Sequence, residues 1–90
     1  MVALYLNICA CLIKLQRKED AIFSADEALK IEANPKAHYK KAQAYLQSIN
    51  RDKDDIRLAI LELKEAYSLS QDPFFVKQMH EAKQSFDAEK

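Results

Sequence analysis

The chain has no glycine and no tryptophan, only two prolines and two cysteines, and no excess of either charge. Each shortage removes a class of protein. Tight turns at positive φ ordinarily fall to glycine, so a glycine-free chain is a poor candidate for a hairpin-rich β protein. Nor can it hold a glycine-rich phosphate loop. Lys plus Arg and Asp plus Glu both number 14, which leaves no global pull toward nucleic acid or a membrane surface. The apolar run at residues 2–13 is well short of the roughly 20 residues that span a bilayer. It also lacks the basic start and small-residue cleavage site of a signal peptide. Cys9 and Cys11 are two apart, so on a helix they point to roughly opposite sides, which suits neither a disulfide nor a shared metal. Small buried hydrophobes in a reducing, cytoplasmic setting are the expectation.

What remains is rich in Ala, Leu, Lys and Glu, and its apolar positions recur at three and four. Ninety residues make one small domain with a marginal core. Residues 2–15 form the first expected helix, with Asn7 as the single strongly polar side chain before Lys14; a helix apolar all round must be covered on several sides. Residues 19–31 are amphipathic and end at Asn34-Pro35, where proline removes a donor and biases Asn34 away from the α region. Pro35 opens a third helix running to about residue 48. A polar loop over residues 49–53 follows, then a helix begun by Asp54-Asp55, whose carboxylates face the positive end of the dipole. Asp72 as N-cap and Pro73 at the first helical position open the last helix, which carries Phe74, Phe75, Val76, Met79, Ala82 and Phe86. Charge is unevenly spread: residues 33–48 hold three lysines and no acid, whereas residues 19–32 hold five acids and one lysine.

An internal repeat runs through these helices. Cys9 and Ala42 are thirty-three apart, as are Leu12 and Tyr45; Ala21 and Ala28 are seven apart, as are Ala59 and Ala66. Small side chains at fixed places let neighbouring helices approach, and bulky ones beside them fill the gaps. The pattern resembles the tetratricopeptide repeat, a helix pair of about 34 residues. That resemblance implies an all-α fold of antiparallel helix-turn-helix repeats in a right-handed superhelix: one repeat at residues 1–34, a second at 35–71, and a capping helix at 73–88. The connector Ala33-Asn34-Pro35 is one residue short of the pattern. The spacing from Ala42 to Ala59 is five longer than from Cys9 to Ala21, which puts an insertion at 47–55, where a surface loop extends without disturbing a stack. The stretch Leu6-Asn7-Ile8, Ala10-Cys11, Lys14-Leu15, then Lys36, Tyr39 and Ala42-Gln43, is similar to the second and third repeats of the large immunophilins.

The repeat register places Asn7, Lys14, Lys36, Tyr39, Lys40 and Gln43 on a concave face. Lys36 and Lys40, four apart, share one side of their helix. In the co-chaperones of that family a two-carboxylate clamp grips the acidic C-terminus of heat-shock chaperones of the 90-kDa and 70-kDa classes. Asn7, Lys36 and Lys40 match three of its five positions, with Lys40 standing where arginine is usual. That exchange keeps the charge and loses the planar fork. The resemblance therefore implies a cytoplasmic binding module with a partial carboxylate clamp. The rival expectation is an assembly segment that packs on another protein, or on a second copy, through its apolar first helix. Nothing points to catalysis, a cofactor or a metal site: His38 and His80 lie far apart with no nucleophile beside them, and both are expected at the surface. Leu4, Ile8 and Cys11 are expected to face water on the first helix.

Overall fold

The computed structural model describes residues 2–48 and 52–88, with side chains over 3–48 and 52–84. Residues 49–51 of the expected loop and the side chain of Phe86 lie outside the described residues. The rest is helical: α1 (Val2–Lys14), α2 (Lys18–Ile31), α3 (Pro35–Leu46), α4 (Lys53–Ser70) and α5 (Pro73–Ala88). No described helix is long and apolar enough to cross a membrane.

The helix ends show how a chain without glycine turns its corners. At the end of α1 the Gln16 N–H donates to the Ile13 carbonyl at 3.0 Å and the Arg17 N–H to the Leu12 carbonyl at 2.9 Å. That is a Schellman closure, which needs a left-handed residue, and Gln16 supplies it at φ 61°. Gln71 is likewise left-handed, at φ 55°, but closes α4 by the simpler route of a single bond from its N–H to the Tyr67 carbonyl. Asn34 caps α3 by accepting from the Lys36 N–H at 2.8 Å, with Pro35 following, and Asp72 caps α5 by accepting from the Phe74 N–H at 2.9 Å.

The start of α4 differs from expectation. The helix begins one residue before the expected Asp54, at Lys53, and Asp54-Asp55 lie in its first turn as expected. The N-cap is Asp52, whose Oδ1 accepts from the Asp55 N–H at 2.9 Å, and Asp55 Oδ2 accepts from the Asp52 N–H at 3.1 Å. This reciprocal box satisfies two orphan donors at once. Asp55 is thereby turned inward, buried, and gripped by Lys18 Nζ at 3.1 and 3.2 Å. α2 likewise begins one residue early, at Lys18.

Each helix packs on its successor, and α1 also touches α3; short connectors make successive helices antiparallel neighbours. The result is a slab 39 × 29 × 15 Å. Among the described residues nine of the fifteen buried apolar side chains are alanine, so the helices meet by close approach rather than around a bulky centre. Ala44 joins Cys9, Ile13, Ala21 and Ala25, and Ala37 joins Leu6 and Ala28, tying α1 and α2 to α3. Ile56, Ala59 and Leu63 pack with Ala42 on one side and with Phe75 and Ala82 on the other, tying α3, α4 and α5 together.

Burial repeats along the chain. Ala21, Ile22, Ala25 and Ala28 are buried, half-buried, buried and buried; Ala59, Ile60, Leu63 and Ala66, thirty-eight later, follow the same order. Cys9 and Ala42 are both fully buried, and Leu12 and Tyr45 are both half-buried. The faces of α1 and α3 diverge most at two positions: Ala37 and Ala44 are buried, while Leu4 and Cys11, thirty-three earlier, are exposed.

Candidate functional site

Periodicity divides α3 into two faces. Lys36, Tyr39, Lys40 and Gln43 lie along one side, and His38, Lys41 and Tyr45 along the other. The two sides have different electrostatics.

On the first side a cleft of about 690 Å³ opens between α1, α3 and the start of α5. Ala3, Leu6 and Asn7 line it from α1, and Asn34, Lys36, Tyr39 and Lys40 from α3 and its cap. Phe74 and Phe75 close it from α5. Four of the six sequence-derived candidates, Asn7, Lys36, Tyr39 and Lys40, thus converge on one cavity. Gln43 stands behind them: its Nε2 donates to the Tyr39 hydroxyl at 3.1 Å and fixes the ring. Lys14 is exposed two turns farther along α1 and does not line the cleft.

Asn7 is exposed. It carries no desolvation cost, so its position in an otherwise apolar helix needs no buried partner. Lys36 is exposed and Lys40 half-buried. Among the described residues neither has a carboxylate within ion-pair reach, in contrast to Lys18, Lys30 and Lys41. Lys40 lies near Cys9, whose thiol is pushed up chiefly by burial and drawn part of the way back by the ammonium.

The apolar wall was the part least visible in the sequence. The Tyr39 and Phe74 rings meet edge to face at 5.3 Å and 68°, and Phe75 lies 5.9 Å from Tyr39. Burial, reinforced by the Glu81 charge, raises the Tyr39 phenol above its ordinary value, which keeps it a neutral hydroxyl. The Asp72-Pro73 boundary, which starts α5, is the signal that set two consecutive phenylalanines in its first turn. Phe75 points into the core, and Phe74 stays 44% exposed at the cleft. The lining holds no acid, imidazole or thiol. It offers ammonium and amide N–H donors beside aromatic surface, a set that suits carboxylates flanked by apolar groups.

On the opposite side of α3 the charges are mutually satisfied. His38 Nδ1 lies 2.8 Å from Glu62 Oε1, and Lys41 Nζ bridges Asp26 at 2.9 Å and Glu62 at 3.6 Å. His38 is therefore half-buried and bonded rather than a surface histidine, because α4 brings Glu62 beneath it; His80 is exposed. No cluster of three or more His, Cys, Asp or Glu side chains among the described residues is placed to hold a metal ion. Neither a family model, nor a curated protein, nor a solved structure matches this chain.

Proposed function

We propose that this chain is a protein-interaction module of the tetratricopeptide type that binds acidic C-terminal peptides in the cleft between α1, α3 and α5. It is not itself an enzyme. The observation that carries the reading is convergence: Asn7 and, at least twenty-nine residues on, Lys36 and Lys40, whose ammonium groups have no carboxylate partner among the described residues, line one cavity whose described lining holds no acid and has an aromatic wall. The matched burial of Ala21, Ile22, Ala25 and Ala28 with Ala59, Ile60, Leu63 and Ala66 supports a repeated helix pair. The terminal and side-chain carboxylates of a chaperone-type tail, of the 90-kDa or 70-kDa heat-shock class, would take the ammonium and amide donors. Its apolar side chain would lie against Tyr39 and Phe74.

Exposed charge pairs contribute little each, and three clamp positions are fewer than five. The expected dissociation constant is therefore roughly 0.1–1 mM, weakening as salt screens the lysines. The test is titration of a peptide ending in Glu-Glu-Val-Asp into the wild type and the Lys36→Glu/Lys40→Glu variant. Binding lost in the variant and retained by Lys14→Glu supports the cleft. Equal binding by wild type and double variant removes it. A second reading, an assembly segment docking through α1, is favoured by one observation: Leu4, Ile8 and Leu15 remain 52%, 40% and 66% exposed.

A further inference from the structure

The exposed side of α1 has a spacing of its own. Leu4, Ile8, Cys11 and Leu15 follow one another at four, three and four residues and are all exposed, directly opposite the buried Leu6, Cys9 and Ile13. Spacings of four and three alternating are the seam of a two-stranded coiled coil, in which apolar knobs from one helix enter holes on another. The seam is uncharged along about 16 Å of helix.

The kind of helix that covers it can be read from comparison with α3. Thirty-three residues on, the corresponding face of α3 carries Ala37, Lys41 and Ala44. It accepts α1 and α2 closely because two of those residues are small. On α1 the same positions hold Leu, Ile and Cys, which fill a wider gap. The seam is also symmetric about its own middle: Leu4 and Leu15 lie equally far from the centre on its two sides, and so do Ile8 and Cys11. An antiparallel copy therefore sets Leu4 against Leu15 and Ile8 against Cys11, each contact occurring twice. This is the self-complementarity of a two-fold interface. Asn7 and Lys14 flank the seam; the antiparallel direction brings Lys14 toward Asn7 of the second copy and keeps the two ammonium groups at opposite ends.

We propose that two copies of this chain associate through an antiparallel α1 pair, in the register that places Ile8 against Cys11 of the second copy. The covered strip is narrow, so the dimer is a weak, concentration-dependent one.

Sedimentation equilibrium of the 90-residue chain over a wide concentration range, under reducing conditions, is the first measurement. The mass is expected to rise from monomer to dimer and stop there. Ile8→Lys, at an exposed position, is expected to weaken association by roughly a hundredfold or more with its helical circular dichroism unchanged. Register is read with cysteines and diamide, which takes up the two hydrogens as each disulfide forms. Ile8→Cys, facing the native Cys11, is expected to give a covalent dimer reversed by dithiothreitol. Ile8→Cys/Cys11→Ser and the wild type are expected to give little. A monomer at every concentration, undiminished association in Ile8→Lys, or equal cross-linking of Ile8→Cys/Cys11→Ser would each overturn the proposal. The last of these would show a parallel pair.

Discussion

Two glutamines stand where glycine would ordinarily be found. Gln16 and Gln71 hold left-handed backbone at φ 61° and 55°, a conformation that crowds Cβ against the neighbouring carbonyl and costs roughly 1 kcal/mol. Composition argued against positive-φ turns, and it excluded hairpins correctly, but a helix end can force one residue left-handed whatever its type. The two sites differ in what the side chain returns. Gln16 Nε2 donates to the Gln47 carbonyl at 3.0 Å, thirty-one residues away, whereas Gln71 is exposed and its backbone N–H simply continues to the Tyr67 carbonyl. Gln71→Gly is therefore expected to raise stability by about 0.5–1 kcal/mol, and Gln16→Gly to change it little. Urea titrations of the two variants read the contrast, and equal gains would remove any role for the Gln16 bond.

At the scale of elements, proline and alanine were the legible residues. Pro35 and Pro73 open α3 and α5 as their positions required, since each lacks the N–H that a first turn cannot use. The start of α4 was legible only to within two residues. Three aspartates crowd residues 52–55, and local sequence cannot choose among them. The choice is made by Lys18, thirty-seven residues earlier, which pulls Asp55 inward and leaves Asp52 to cap. Asp55 consequently serves two purposes, box and ion pair. Asp55→Ala is expected to destabilise the chain by about 2 kcal/mol, roughly 1 from the cap and the rest from a partly buried pair discounted for the exposure of Lys18. Asp54→Ala, at an exposed residue in the same turn, is expected to stay within about 0.5 kcal/mol. Chemical denaturation of both variants decides, and equal losses would contradict the assignment of the cap.

For the whole molecule, pH probes how the helices are held together. Four groups spread over α1 and α3 have values raised by the fold. Burial lifts Cys9 above 9.0 and Tyr39 and Tyr45 above 10.0. Burial opposes the charge on Lys41, but the Asp26 bond and the Glu62 and Asp26 charges outweigh it and raise the ammonium above 10.5. A group raised in the folded state holds its proton more tightly there than in the unfolded chain. Its stabilisation is complete below the unfolded value and is lost as pH rises through the folded one. All four act in the same direction, so the melting temperature is expected to fall progressively from about pH 9 upward. Cys9→Ala is expected to delay the onset toward pH 10. Melts from pH 8 to 11 test this, and a flat profile would contradict the burial of these groups.

The helical class, the count of elements and their rough limits followed from the sequence alone. Glycine's absence, two prolines and apolar spacing at three and four are local properties, and local properties decide whether a segment is a helix. The spacing of Cys9 with Ala42 and of Ala21 with Ala59 went further and marked which residues would lie at helix contacts, because close approach demands small side chains there. Tertiary structure decided everything that depends on distant partners. Phe74 became a cleft wall only because α5, packed on α4, brings its first turn against Tyr39 of α3. His38 left the surface because α4 carries Glu62 beneath it. Asn7 and Lys14, seven apart on one helix, were both placed on the concave face by the sequence, though only Asn7 matched a clamp position. They separate in space because α5 meets α3 near Tyr39, at the end of the cleft where Asn7 lies, and leaves Lys14 beyond it.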